Sequence, residues 1–141
     1  MNKKIKDLYH LPSVVLFILG ILDIIRGFMH TFNIHWAATN IAKLDLSFAT
    51  QDQLFLLATF GISNYFTGFL FVLISKKAKK LSPYVIILIP LTYLLGIVAI
   101  NFVSIQKTSE FNGQYFMLSY FGVCVITFLI FAYKKYTKKS N

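Results

Sequence analysis

Residues 12–30 read PSVVLFILGILDIIRGFMH, and the fold turns on this stretch. It is apolar over the roughly 20 residues that a helix needs to cross a bilayer. Yet it holds Asp23 and Arg26 and closes on His30. At 1.5 Å per residue, Asp23 stands about 16 Å in from Pro12, close to mid-bilayer, with Arg26 about one turn further out. A charge there costs at least about 2.5–3.5 kcal/mol. A cleavable signal peptide ending near Ala37 and Ala38 does not tolerate this set well, so the stretch is expected to remain as a spanning helix.

Three further apolar stretches of spanning length follow, at 54–75, 82–104 and 115–133. Lipid offers no partner to open backbone groups, so each must be helical. Pro12 and Pro83 stand at the expected helix entrances, where a missing N–H costs nothing. Pro90 lies well inside the third span and is expected to kink it near Ile86. The connections at 76–81 and 105–114, the latter turning at Asn112-Gly113, are short and force successive helices to run in opposite directions. The expected fold is all-α: one domain over 1–141, an integral membrane antiparallel four-helix bundle.

Composition agrees. Of 141 residues, 57% are hydrophobic and 13% charged, against roughly 25% charged in soluble domains. A chain this small has too little polar surface to live in water alone. Its wealth of Lys, Ile, Asn and Phe suits a low-GC bacterium and hence a cell membrane. The single Cys124 excludes an intrachain disulfide, a CxxC redox pair and a thiolate metal centre.

The formal charge of +9 divides unevenly. Eleven lysines flank the spans on one side: Lys3, Lys4, Lys6, Lys76, Lys77, Lys79, Lys80, Lys134, Lys135, Lys138 and Lys139, against Asp7 alone. The other side has Lys43 and Lys107 against Asp45, Asp52 and Glu110. The positive-inside rule then puts both termini and the 76–81 connection in the cytoplasm. Lysines split over three membrane flanks, with no interleaved base-stacking aromatics, fit anionic lipid and not nucleic acid. The loop 31–53 is the sizeable outer segment. Its apolar positions 34, 37, 38, 41 and 42 fit a short surface helix, with Trp36 at headgroup depth.

Candidate binding residues are the polar ones within or beside the spans. Asp23, Arg26 and His30 share one helix face by their spacing of three and four. Two readings stand: an internal ion pair with Arg26 reaching outward, or a polar site that offers Arg26 and His30 to an anion or headgroup. Residues 20–28 and 61–69 both read G-I-x-[D/N]-x-x-[R/T]-G-F. Glycines seven apart share a face and let backbones approach, so these two spans are expected to pack there, with Asn64 bonded to Asp23. Tyr93, Asn101, Tyr115 and Ser119 complete the candidate ligand-binding set in the outer half. Ser119, Gly122 and Ile126 are expected to share one face with Tyr115, while the inner half reads as aliphatic and phenylalanine-lined.

No catalytic motif and no cofactor site emerges. Haem b needs histidines on facing spans, and spans two to four have none. His30, His35, Asp45 and Asp52 match no metal-ligand spacing. The expected function is a non-enzymatic module binding a lipid, a small hydrophobic or anionic ligand, or a partner protein in the outer half of the bundle. A homo-oligomer or another membrane protein is the natural partner. One alternative is a dimeric proton-coupled or multidrug-type transporter using Asp23; in helix number and a first-span acid the chain is similar to small multidrug transporters. The other is a membrane oxidoreductase, a lipid-modifying enzyme or an accessory subunit of one, acting on a quinone or lipid. In architecture and length the chain also resembles four-span DoxX-like bacterial proteins, without a motif specific enough to transfer residues.

Overall fold

A computed structural model describes residues 3–47, 50–103 and 113–140. The described residues are mostly helical, with no strand among them. The helices are α1 (Lys3–Thr31), α2 (Ile34–Trp36), α3 (Thr50–Lys77), α4 (Ser82–Phe102) and α5 (Gly113–Ser140). Four are long and apolar enough to cross a membrane: Leu8–Thr31, Thr50–Lys77, Lys79–Phe102 and Gln114–Thr137. This architecture is compatible with a multi-pass membrane protein. The 105–112 connection, with Lys107, Glu110 and Asn112, lies outside the described residues, as does Ser104 at the expected end of the third span.

Pro12 corrects one expectation. The helix starts at Lys3, so Pro12 sits within it and is fully buried. A proline there cannot donate to the Leu8 carbonyl. The basic flank carries the helix past it all the same, and Ser13 Oγ donates to the neighbouring Tyr9 carbonyl at 2.7 Å. Pro83 does open α4, as its position suggests.

α1 is the hub of the fold. α3 packs along it most extensively, and α4 and α5 pair with each other and with α1. The buried positions of α1, at 12, 13, 16, 19, 20, 23 and 27, recur every three or four residues and form a continuous seam. Leu16, Leu19, Phe71, Ile86 and Cys124 meet in the core, contributed by all four long helices.

The α1–α3 contact is made by glycine. A Cβ built on Gly68 would stand 2.7 Å from the Gly20 carbonyl oxygen and 2.9 Å from the Ile24 nitrogen. One on Gly27 would stand 2.9 Å from the Gly61 carbonyl oxygen. Gly20 therefore meets Gly68, and Gly27 meets Gly61, as the repeated motif implies. At the other end of α1, Ser13 Oγ lies 3.2 Å from Ser82 Oγ, and the Tyr9 and Phe131 rings are 5.6 Å apart.

Between α1 and α3 the chain forms a cap. α2 runs into a π-helical turn, Ala37–Ala42, that buries Ala37, Ala38 and Ala42. Ile34 and Ile41 are half-buried on the same side, so the apolar spacing expected for a short helix is the one that packs. The turn stops at Lys43, whose φ of 52° is left-handed, with the Leu44 N–H returning to the Ala38 carbonyl at 2.9 Å. Beyond it, the Ser47 hydroxyl and backbone N–H hold the exposed Asp45 carboxyl below the usual range.

Candidate functional site

Polar groups of three spans converge on Arg26, the only arginine in the chain. Its Nη2 donates to Asp23 Oδ1 at 2.7 Å and to Asn64 Oδ1 at 3.1 Å. Its Nη1 points at Met117 Sδ at 3.0 Å, and its carbon lies 5.9 Å from the centre of the Tyr120 ring. Asp23 is buried, and its second oxygen accepts from the Tyr120 hydroxyl at 3.3 Å. His30 Nδ1 stands 3.4 Å from the Asn64 amide nitrogen. One turn away, Thr31 and Tyr65 hydroxyls lie 3.2 Å apart. Three helices thus supply the site: α1 the charges, α3 the amide and α5 the phenol and thioether.

Asn64 corrects the expected pairing, since it bonds Arg26 and not Asp23. With Gly20 on Gly68 and Gly27 on Gly61, the two helices are in opposed register. Asn64 therefore falls level with Ile24, at nearly the depth of Asp23, and Arg26 Nη2 stands between the two and donates to both, while Thr67 Oγ1 is bonded back to the Ser63 and Asn64 carbonyls of its own helix.

A guanidinium has five N–H donors. Arg26 directs two hydrogen bonds to oxygen acceptors, through Nη2. Its Nη1 contact is to a thioether, a weak acceptor. Its Nε is buried and has no partner among the described residues. The side chain as a whole is 32% exposed. The group is held firmly by one nitrogen and retains donor capacity on the others.

Met117 is also a wall of a cleft. This opening of about 370 Å³ lies between α4 and α5 and is lined by Ile89, Tyr93, Gly96, Ile97, Met117 and Phe121, among others. Its lining is almost wholly apolar; Thr92 is a hydroxyl on its wall, bonded back to the Ile89 carbonyl at 2.9 Å. Gly96 leaves it open, since a Cβ built there meets nothing within 4 Å.

Of the sequence-selected residues, Asp23, Arg26, His30 and Asn64 come together. Tyr93 belongs to the cleft instead, its ring centre 4.4 Å from that of Phe121. Asn101, Tyr115 and Ser119 are exposed and stand outside both. The expected 119/122/126 face of α5 is not its inner one. Cys124, Thr127 and Phe131 are buried, with Met117 and Tyr120 half-buried on the same stripe. That stripe puts Tyr120 and Met117, not Ser119, beside Arg26. The spacing 117, 120, 124, 127, 131 carries this signal, but in a helix apolar all round several such stripes compete.

Among the described residues no group of three or more His, Cys, Asp and Glu gathers to hold a metal. Protein-family models, curated proteins and solved structures include none that matches this chain.

Proposed function

We propose that this protein is a membrane-embedded binding module that takes an amphiphile: an acceptor headgroup on Arg26, and an apolar body in the α4–α5 cleft. It is read as an antiparallel four-helix bundle in a cell membrane, with both termini and the 76–81 connection cytoplasmic, because charge bias sets orientation. Arg26 and the cleft then fall in the outer half.

The observation that carries the reading is the double role of Met117, which lines the cleft and covers Arg26 Nη1. Methionine is flexible and unbranched, and it moves aside at low cost. An oxygen acceptor that replaced its sulfur would gain a charge-assisted hydrogen bond, the stronger kind. Asp23 and Asn64 serve as positioning groups: they fix the guanidinium plane and cancel part of its charge, so that a carboxylate or phosphate is held without excess cost.

A fatty acid with a mid-chain diazirine tests this. Photolysis in bicelles is expected to label peptides containing Ile89–Ile100 and Met117–Phe121, as mapped by mass spectrometry. Gly96→Leu fills open space, so it should abolish that labelling while the protein melts as before. Equal labelling along the lipid-exposed face of α3 in wild type and variant would contradict the reading.

A further inference from the structure

A second crevice, of about 180 Å³, opens at the lysine-bearing end, where α1 meets the end of α3 and the turn that leads into α4. Its lining includes His10, Ser13, Phe17, Ser75, Lys76 and Lys79. Sequence reading makes this end aliphatic, but Ser13, Ser75 and Ser82 are buried there. Ser75 Oγ donates to the Val72 carbonyl at 2.7 Å and Ser13 Oγ to the Tyr9 carbonyl at 2.7 Å. The buried hydroxyls are thus satisfied within the protein, and the crevice's free donors are the cations on its rim.

Lys76 faces inward. Lys76 Nζ folds back to 4.3 Å from the centre of the Phe17 ring, over the crevice wall. No acid lines the crevice, and the ion pair between Arg26 and Asp23 is the one found among the described residues. Asp7 is the lone acid that the sequence puts on this flank. From the crevice, Val14 leads along an apolar strip of α1 in which Leu11, Val14 and Ile18 are exposed.

We propose that this crevice is a phosphate site, separate from the Arg26 site, which seats the headgroup of an anionic phospholipid between Lys76, Lys79 and His10. One acyl chain lies along the Val14–Ile18 strip. Basic crevices between helix ends at a membrane surface suit such headgroups, whereas lysines spread over a flank act only as diffuse charge.

Native mass spectrometry of the detergent-solubilised protein, titrated with phosphatidylglycerol, tests this. One lipid is expected to bind the wild type with saturation. Lys76→Gln with Lys79→Gln should weaken it about thirtyfold, the effect of two lysines near an anionic surface. Lys80→Gln with Lys134→Gln removes the same charge outside the crevice and should leave binding nearly intact. Excess inorganic phosphate separates the two sources of the ligand: displacement shows that phosphate alone suffices, and persistence shows that the chain contributes. Equal loss in both double variants, or loss in neither, would overturn the site. Gly96→Leu, which tests the outer cleft, should leave this binding unchanged, so the two proposals fail separately.

Discussion

Replacing Gly68 by leucine is expected to part α1 from α3 and leave the protein unable to purify as a stable, monodisperse species. Even a methyl group placed on Gly68 meets the Gly20 carbonyl oxygen at 2.7 Å, Ile24 Cγ1 at 2.7 Å and the Ile24 nitrogen at 2.9 Å. Two of these are backbone atoms, which no rotamer change can move. Overpacking of a fitted contact costs about 1–3 kcal/mol, and more where backbone must shift. Gly68→Ala should fall in that range and Gly68→Leu beyond it, read from unfolding in mixed detergent. Gly122→Ala is the internal comparison. A Cβ there meets nothing within 4 Å, and alanine is the better helix former by roughly 0.5–1 kcal/mol. It should hold or raise stability. Equal behaviour of Gly68→Ala and Gly122→Ala would remove the glycine contact as the basis of the fold.

The second large effect concerns the Asp23–Arg26 pair. Asp23→Ala leaves a guanidinium in apolar surroundings with Asn64 as its remaining oxygen partner. Removing one member of a buried pair costs about 3–5 kcal/mol, whereas replacing both by apolar residues is often close to neutral. Arg26 is partly exposed, so the lower end of that range is expected. Asp23→Leu with Arg26→Met should therefore recover most of the stability lost in Asp23→Ala, and should still fail to bind the fatty-acid probe. Asp23→Asn separates this from transport. It keeps one acceptor oxygen, for Arg26, sets an NH2 group against the Tyr120 hydroxyl and deletes the charge, so it should lower stability in the same direction. A proton-carrying Asp23 would instead leave folding intact and abolish substrate-driven proton flux. Unchanged melting of Asp23→Ala would show that Arg26 does not depend on its carboxylate.

Much of this architecture was legible in the residues themselves. Span number follows from apolar length, and the α1–α3 contact from the glycines at 20, 27, 61 and 68, because lipid leaves close backbone approach as the main source of helix affinity. The cap was legible too, since its alanines recur at helical spacing beside a polar face. What escaped was rotation and reach. Asn64 and Asp23 sit at similar depths, yet the Arg26 guanidinium stands between them and takes both acceptors. In α5 nearly every residue is apolar, so periodicity could not tell the 117/120/124 stripe from the 115/119/122 one. Pro12 misled for a related reason: a proline marks a helix start only when nothing upstream continues the helix, and the basic flank does. The buried serines of the lysine-bearing end were hidden because each looks alone like a boundary residue.

The site's composition offers one direct measurement. Arg26 is the sole arginine, so its Nε–H gives a single ¹⁵N resonance that needs no assignment by mutation. That N–H is buried without a partner among the described residues. Titration with a fatty acid in bicelles should shift that resonance saturably, as the guanidinium it belongs to gains an acceptor on Nη1 from the cleft. In Gly96→Leu it should stay put. A resonance that does not move in the wild type, with the bundle intact and the bicelle loaded, would contradict an amphiphile headgroup on Arg26.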